Sequence, residues 1–192
     1  LRKLGSKLQG HPSIISTPWV EASTGSLGQG LSAGLGMSLG FRHKKELNKN
    51  VYVLIGDGEL QEGEVWEALM CAANFNLSNL CVILDYNKMQ SDDLNENIMK
   101  LEPLAQKFES FNWNVVDIDG HNFEEIENAF NLAHKEKNKP TMIISNSIKG
   151  KGVSYMEGKP SWHGSVKIKN EELEQGLKDL GCSSQEIQDY IL

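Results

Sequence analysis

The chain is poor in the features that usually assign a protein at a glance. Its 192 residues include three cysteines, Cys71, Cys81 and Cys182, an odd number with no two at metal-ligand spacing. That argues against a disulfide framework or a zinc site and leads us to expect a reducing, cytoplasmic compartment. Basic excess is lacking: 19 Lys and Arg face 26 Asp and Glu, for a net charge of −7. A nucleic-acid footprint wants the opposite balance. A small anion stays open, because backbone amides and a metal ion can hold one without basic side chains. No apolar run approaches the roughly 18 to 20 residues of a membrane span, and no signal peptide is expected. There is no initiator methionine. The chain opens on Leu1, as if within a longer sequence, so a missing N-terminal segment is expected. No internal repeat or low-complexity tract occurs. Composition is otherwise ordinary for a globular protein, 39% hydrophobic and 23% charged, and the length suffices for one domain with a core.

What is present alternates. Residues 1–24 read as loop, broken by Gly5, Gly10, Pro12 and Pro18. From 27 to 47, Leu31, Leu35 and Leu39 recur at helical spacing among several glycines, each costing roughly 1 kcal/mol relative to Ala. A helix that keeps them is pressed against another backbone. Residues 51–57 and 80–87 read as buried strands, and 114–120 and 140–147 as a third and a fourth strand. Helical patterns fall at 61–76 and 101–111. Another spans 122–136, where Asn122 and Glu125 make a capping box. A charged helical tail occupies 170–192. Strands alternating with helices imply an α/β fold, an open, mostly parallel sheet with helices on both faces.

In such sheets ligands sit beyond the carboxyl ends of the strands. Those ends are Gly56–Gly58, Asp85–Ser91 and Ile148–Gly152. Asp57 and Asn87 each follow a strong strand, separated by one strand-helix-strand unit. A charged and a neutral oxygen suit magnesium, which leans on substrate phosphates for further ligands. The flanking glycines, Gly56 and Gly58, let a diphosphate approach the backbone. The plainer alternatives are a helix-capping Asp57 and a turn-forming Asn87. "GQGLSAG" at 28–34 is a weak dinucleotide fingerprint, because no strand leads into it.

"GHPS", "STGSLGQGLSAGLGMSLG", "GDGELQEGEVWEAL", "LDYNKMQSD", "IKGKGVSYMEG" and "SWHG" occur in the order found in transketolases. The chain resembles most the N-terminal subunit of split transketolases, over about residues 1–181. The resemblance implies a thiamin-diphosphate-binding fold, thiamin diphosphate and Mg2+ as cofactors, and two-carbon ketol transfer from a ketose phosphate to an aldose phosphate. It implies that Asp57, Asn87 and the carbonyl of Met89 hold magnesium, and that Gly58 offers its amide to the diphosphate. Gly25 and Leu27 line the thiamin site, with Gly56 and Glu59 counted among the cofactor-binding residues. His163 lies by the diphosphate and substrate, and His11 by the sugar hydroxyls. Glu62 crosses to the glutamate of a pyrimidine-binding partner, the C-terminal subunit, in a hetero- or homo-oligomer. Read without the family, His11 is a turn residue, while for His163 a satisfied loop histidine and for Glu62 a helix-dipole acid stand level with the functional roles. His121 reads as structural.

Two departures stand out. Where the family continues Gly-apolar-x-apolar-Asp-Gly after the asparagine, this chain has Lys88-Met89-Gln90-Ser91-Asp92-Asp93. The family's upstream segment, with further histidines, is missing, so a fragment or reduced competence is expected. A 1-deoxyxylulose-5-phosphate-synthase-like enzyme and a non-catalytic scaffold are the rival readings.

Overall fold

A computed structural model describes residues 4–191 apart from 92 and 165. Asp92, part of the departure noted above, the first three residues and Leu192 lie outside the described residues. Four strands, β1 (Val51–Gly56), β2 (Leu80–Tyr86), β3 (Asn114–Asp119) and β4 (Thr141–Asn146), form one parallel sheet in the order β1-β2-β4-β3. The register pairs Gly56 with Asp85, Asp85 with Ser145, and Asp119 with Asn146, so the strands end level.

One face buries Val53, Ile55, Val82, Leu84, Met142 and Ile144 against α1 (Gln29–His43), α2 (Gly63–Asn74) and α4 (Leu104–Ser110). Phe108 and Trp113 fill its centre, and the Trp113 indole N–H donates to the Leu69 carbonyl at 2.9 Å. On the other face α5 (Phe123–Lys135) lays Ala129 and Ala133 over Cys81, Ile118 and Ile143. Burial there pushes the Cys81 thiol up to about 12. The Asn122 side chain caps α5 by accepting from the Glu124 and Glu125 amides, as its sequence pattern predicts. The glycine-rich helix is pressed close at one point: a Cβ on Gly34 would fall 2.4 Å from Val53 Cγ2. Above Gly36 and Gly40 nothing lies within 4 Å.

Short elements fill the loops. A 3-10 turn, Gly58–Gln61, precedes α2, and α3 (Asn95–Ile98) follows the tip of β2. The tail forms α6 (Asn170–Asp179) and α7 (Ser184–Ile191). It docks on the loop after β4: Asp179 accepts from the Ser154 amide at 2.8 Å, and the Tyr155 hydroxyl donates to the Glu172 carbonyl at 2.6 Å. Among the described residues, no helix is long and apolar enough to cross a membrane.

Candidate functional site at the carboxyl edge of the sheet

β1 delivers Asp57 into the fold, where it is 2% exposed. Its Oδ1 accepts from the Gly58 amide at 2.8 Å. Its Oδ2 accepts from the Lys88 amide at 2.6 Å and from Asn95 Nδ2 at 2.8 Å. Asp57 thus reaches across the crossover and bonds to the turn at the tip of β2. The donors are all neutral, and neither ion pair found among the described residues involves Asp57. Burial raises its pKa. The bonds from Asn95, Lys88 and Gly58 oppose that rise, and the charge of Asp85 adds to it.

At the tip of β2, Asp85 sets the direction of Asn87. Asn87 Nδ2 donates to Asp85 Oδ2 at 3.0 Å, while Asn87 Oδ1 accepts from the Met89 amide at 3.0 Å. The hydroxyl of Ser147, just past β4, holds the other Asp85 oxygen. Lys88 stands where the family pattern carries glycine, and its φ is +66°. The left-handed conformation costs a side-chain-bearing residue roughly 1–2 kcal/mol. Both of its main-chain groups are engaged in return: the amide by Asp57, and the carbonyl by the Asn95 amide at 2.9 Å. Met89 pairs antiparallel with Leu94 through the Lys88 carbonyl and the Gln90 amide, so these bonds leave out the Met89 carbonyl. Gln90 packs over Gly58, 3.0 Å from where a Cβ would stand, while nothing lies within 4 Å above Gly56.

A second group gathers beside the start of α1. The His11 ring lies against Gly25, where a Cβ would sit 2.7 Å from it. Leu27 is 57% exposed and, with Gly25 and Glu59, lines a groove of about 930 Å3 between α1 and β1. Glu59 Oε1 accepts from the Gly28 amide at 2.7 Å and Oε2 from the Gly56 amide at 3.0 Å. Glu62 is exposed at the N-cap of α2, and its Cβ lies 3.2 Å from a Cβ built on Gly28.

A cavity of about 440 Å3 opens at the other side of the β2 tip, lined by Asn87, Met89, His121, Ile148, Lys149 and Lys151 among others. His121 Nε2 accepts from the Ile148 amide at 2.8 Å, which puts the proton of a neutral ring on Nδ1. This tie across to the loop after β4 gives His121, read from the sequence as structural, a partner that nothing local marked. His163 is half-buried after a 3-10 turn, Pro160–Trp162, and its amide donates to the Pro160 carbonyl at 2.8 Å. It is not among the residues lining that cavity. Sequence reasoning also missed Asp85 and Asn95 as partners of Asn87 and Asp57. "LDYN" offered the first as a tip residue, and nothing local marked the second.

A divalent cation fits this chemistry. Asp57 is a buried carboxylate held by neutral donors and takes part in neither ion pair among the described residues, and such a charge is costly unless compensated. Asn87 Oδ1 and the Met89 carbonyl are hard neutral oxygens of the kind magnesium takes. Among the described residues, no group of three or more His, Cys, Asp or Glu side chains is placed to hold a metal. A set with one carboxylate, one amide oxygen and one main-chain carbonyl is a different kind of site.

A parallel α/β sheet with its polar residues gathered at the carboxyl edge defines a ligand-binding domain of the open-sheet class. Residues 1–189 match the family described as "Transketolase, thiamine diphosphate binding domain", and the chain belongs to that family. It is 42% identical over 180 residues to the 6-deoxy-6-sulfo-D-fructose transketolase subunit SqwG of Clostridium sp. (strain MSTE9), covering 94% of this chain and 65% of that one. It is 39% identical to one of the subunits of the apulose-4-phosphate transketolase of Phocaeicola vulgatus, over 94% of this chain and 63% of that one. Human transketolase is 41% identical over 88% of this chain and 27% of its own length. The fold superposes on a crystal structure of Campylobacter jejuni transketolase with a TM-score of 0.87 and 31% identity, covering all of this chain and 32% of that one. The chain therefore spans less than two thirds of the length of both subunit relatives.

Proposed function

We propose that this chain is the diphosphate-binding part of a two-chain transketolase, using thiamin diphosphate and magnesium to move a two-carbon ketol unit from a ketose phosphate to an aldose phosphate. The observation that carries the reading is the bond from Asp57 to the Lys88 amide, 2.6 Å, which joins the two strand tips. Matches to proteins named as transketolase subunits support it.

In this reading Asp57, Asn87 and the Met89 carbonyl hold the cation, and the Gly58 amide meets the diphosphate. Gly25 and Leu27 wall the thiamin ring. When bound, the cofactor supplies the carbon nucleophile that cleaves a ketose beside its carbonyl. His163 donates to phosphate, and His11 meets the sugar hydroxyls. Glu62 faces the partner chain, which supplies the pyrimidine-binding half, and the pair works in the cytoplasm. The two subunit relatives are named for different sugars.

Calorimetry tests the cofactor part. Thiamin diphosphate should bind only with magnesium present, and Asp57→Ala should bind neither. Activity tests the division of labour. The chain alone should not turn over, and adding a pyrimidine-binding chain should restore ketol transfer. Turnover by the chain alone would sink the two-chain assignment.

A further inference from the structure

Glu59 is half-buried one turn past the tip of β1, and its two oxygens reach in different directions. Oε1 takes the Gly28 amide at 2.7 Å, and Oε2 takes the Gly56 amide at 3.0 Å. The first partner belongs to the start of α1, 31 residues upstream, and the second to β1 itself.

α1 needs that carboxylate. Its N-cap is Gly28, at φ +89°, which has no side chain to cap with, and its first turn holds no acidic residue. Four of its 15 residues are glycine, which weakens a helix. An acid at the N-terminus satisfies an orphan amide and opposes the positive end of the helix dipole. Bonds from amides to a carboxylate are about twice as strong as neutral ones. Gly28 is also hemmed in by Glu62 on the next element. The Gly25–Gly28 loop therefore cannot shift relative to the β1 tip without breaking a charge-assisted bond.

We propose that Glu59 is a positioning residue that clips the Gly25–Gly28 loop to the tip of β1, fixing the thiamin-ring wall relative to the diphosphate grip. Its consequence for the cofactor rests on the function proposed above; the clip itself does not.

The test uses the whole chain as wild type, Glu59→Gln and Glu59→Ala. Gln keeps the shape but offers one acceptor oxygen, so it can hold only one of the two amides. Hydrogen exchange in the ligand-free protein reads the clip directly. The Gly28 amide should exchange roughly ten- to a hundredfold faster in Glu59→Ala, with the strand amides of Val82 and Ile143 unchanged. Titrations with magnesium and either thiamin diphosphate or inorganic pyrophosphate read positioning. Thiamin diphosphate affinity should fall about tenfold in both variants, while pyrophosphate affinity stays within about twofold. An equal loss of both ligands would make Glu59 a diphosphate ligand or a general support and overturn the proposal. So would a Gly28 amide equally protected in Glu59→Ala and wild type. If the wild type binds neither ligand, the function proposed above falls, and the exchange of Gly28 still decides the clip.

Discussion

The strand tips and the N-terminal loop hold the two halves of the expected ligand set, and they are built differently. At the tips Asp57, Asp85, Asn87, Asn95 and Ser147 hold one another across sequence separations of up to 62 residues. Asp57, Asn87 and Asn95 are buried. Through residues 4–24 the chain runs in turns, and Thr17 is the one buried side chain among them. Leu4, Leu8, Ile14, Ile15 and Trp19 are all exposed there, and His11 rests on Gly25. Groups fixed by a sheet and by each other are set before a ligand arrives, whereas groups on loops are set by what covers them. On the proposed function, the end assigned to the diphosphate is thus preorganised, and the end assigned to the sugar is not.

That contrast can be broken by measurement. The largest effect is expected for Asp57→Ala, which removes the only carboxylate of the proposed set and orphans three donors. Magnesium-dependent cofactor affinity should fall by more than roughly a hundredfold, and the ligand-free chain should melt lower. Asp85→Ala comes next. It leaves the proposed ligands intact but lets the Asn87 amide turn, and should cost about tenfold in magnesium affinity by calorimetry. A loss as large as that of Asp57→Ala would mean Asp85 is itself a ligand.

Acid should act through the same carboxyl. Burial raises the pKa of Asp57 above 3.8. Protons compete with the cation for it, so magnesium affinity should decline as pH falls through that raised value, earlier than for an ordinary aspartate. In the ligand-free chain the sign reverses. The ionised form is the penalised one, so the contribution of Asp57 to stability is present at low pH and lost as pH rises through its raised pKa. Lys88 sharpens the contrast at the level of the backbone. Lys88→Gly should stabilise the chain by about 1 kcal/mol and Lys88→Val should destabilise it, as read by denaturant melts. The smallest effect is expected for His11→Ala, within about threefold on cofactor affinity. If it matched Asp85→Ala, the loop would be as preorganised as the tips and the comparison would fail.

Much of this was legible in the sequence, for physical reasons. Apolar runs such as 51–55 and 80–84, ending on glycine or a polar turn, announce a parallel sheet, and the four expected strands lie within a residue or so of their places. Asp57 and Asn87 could be picked out because their distance along the chain equals one crossover. Strand order was not legible, because the placing of β4 between β2 and β3 depends on which faces pack. Nor was Asn95, whose bond to Asp57 spans 38 residues. After Asn87 this chain has Lys88 where the family pattern has glycine. The turn nonetheless forms, because Lys88 takes the left-handed conformation and two hydrogen bonds hold it there. The charged helical tail was legible and forms α6 and α7, but its docking was not: Asp179 and Glu172 hold the loop after β4 in place.

The glycines of α1 leave uneven room for change. Gly34 is locked by Val53, so any larger residue there would push the helix off the sheet. Gly36 and Gly40 carry no such constraint. Alanine at those two positions should add about 1 kcal/mol each to the isolated chain, a route to a thermostabilised form that leaves every proposed ligand untouched.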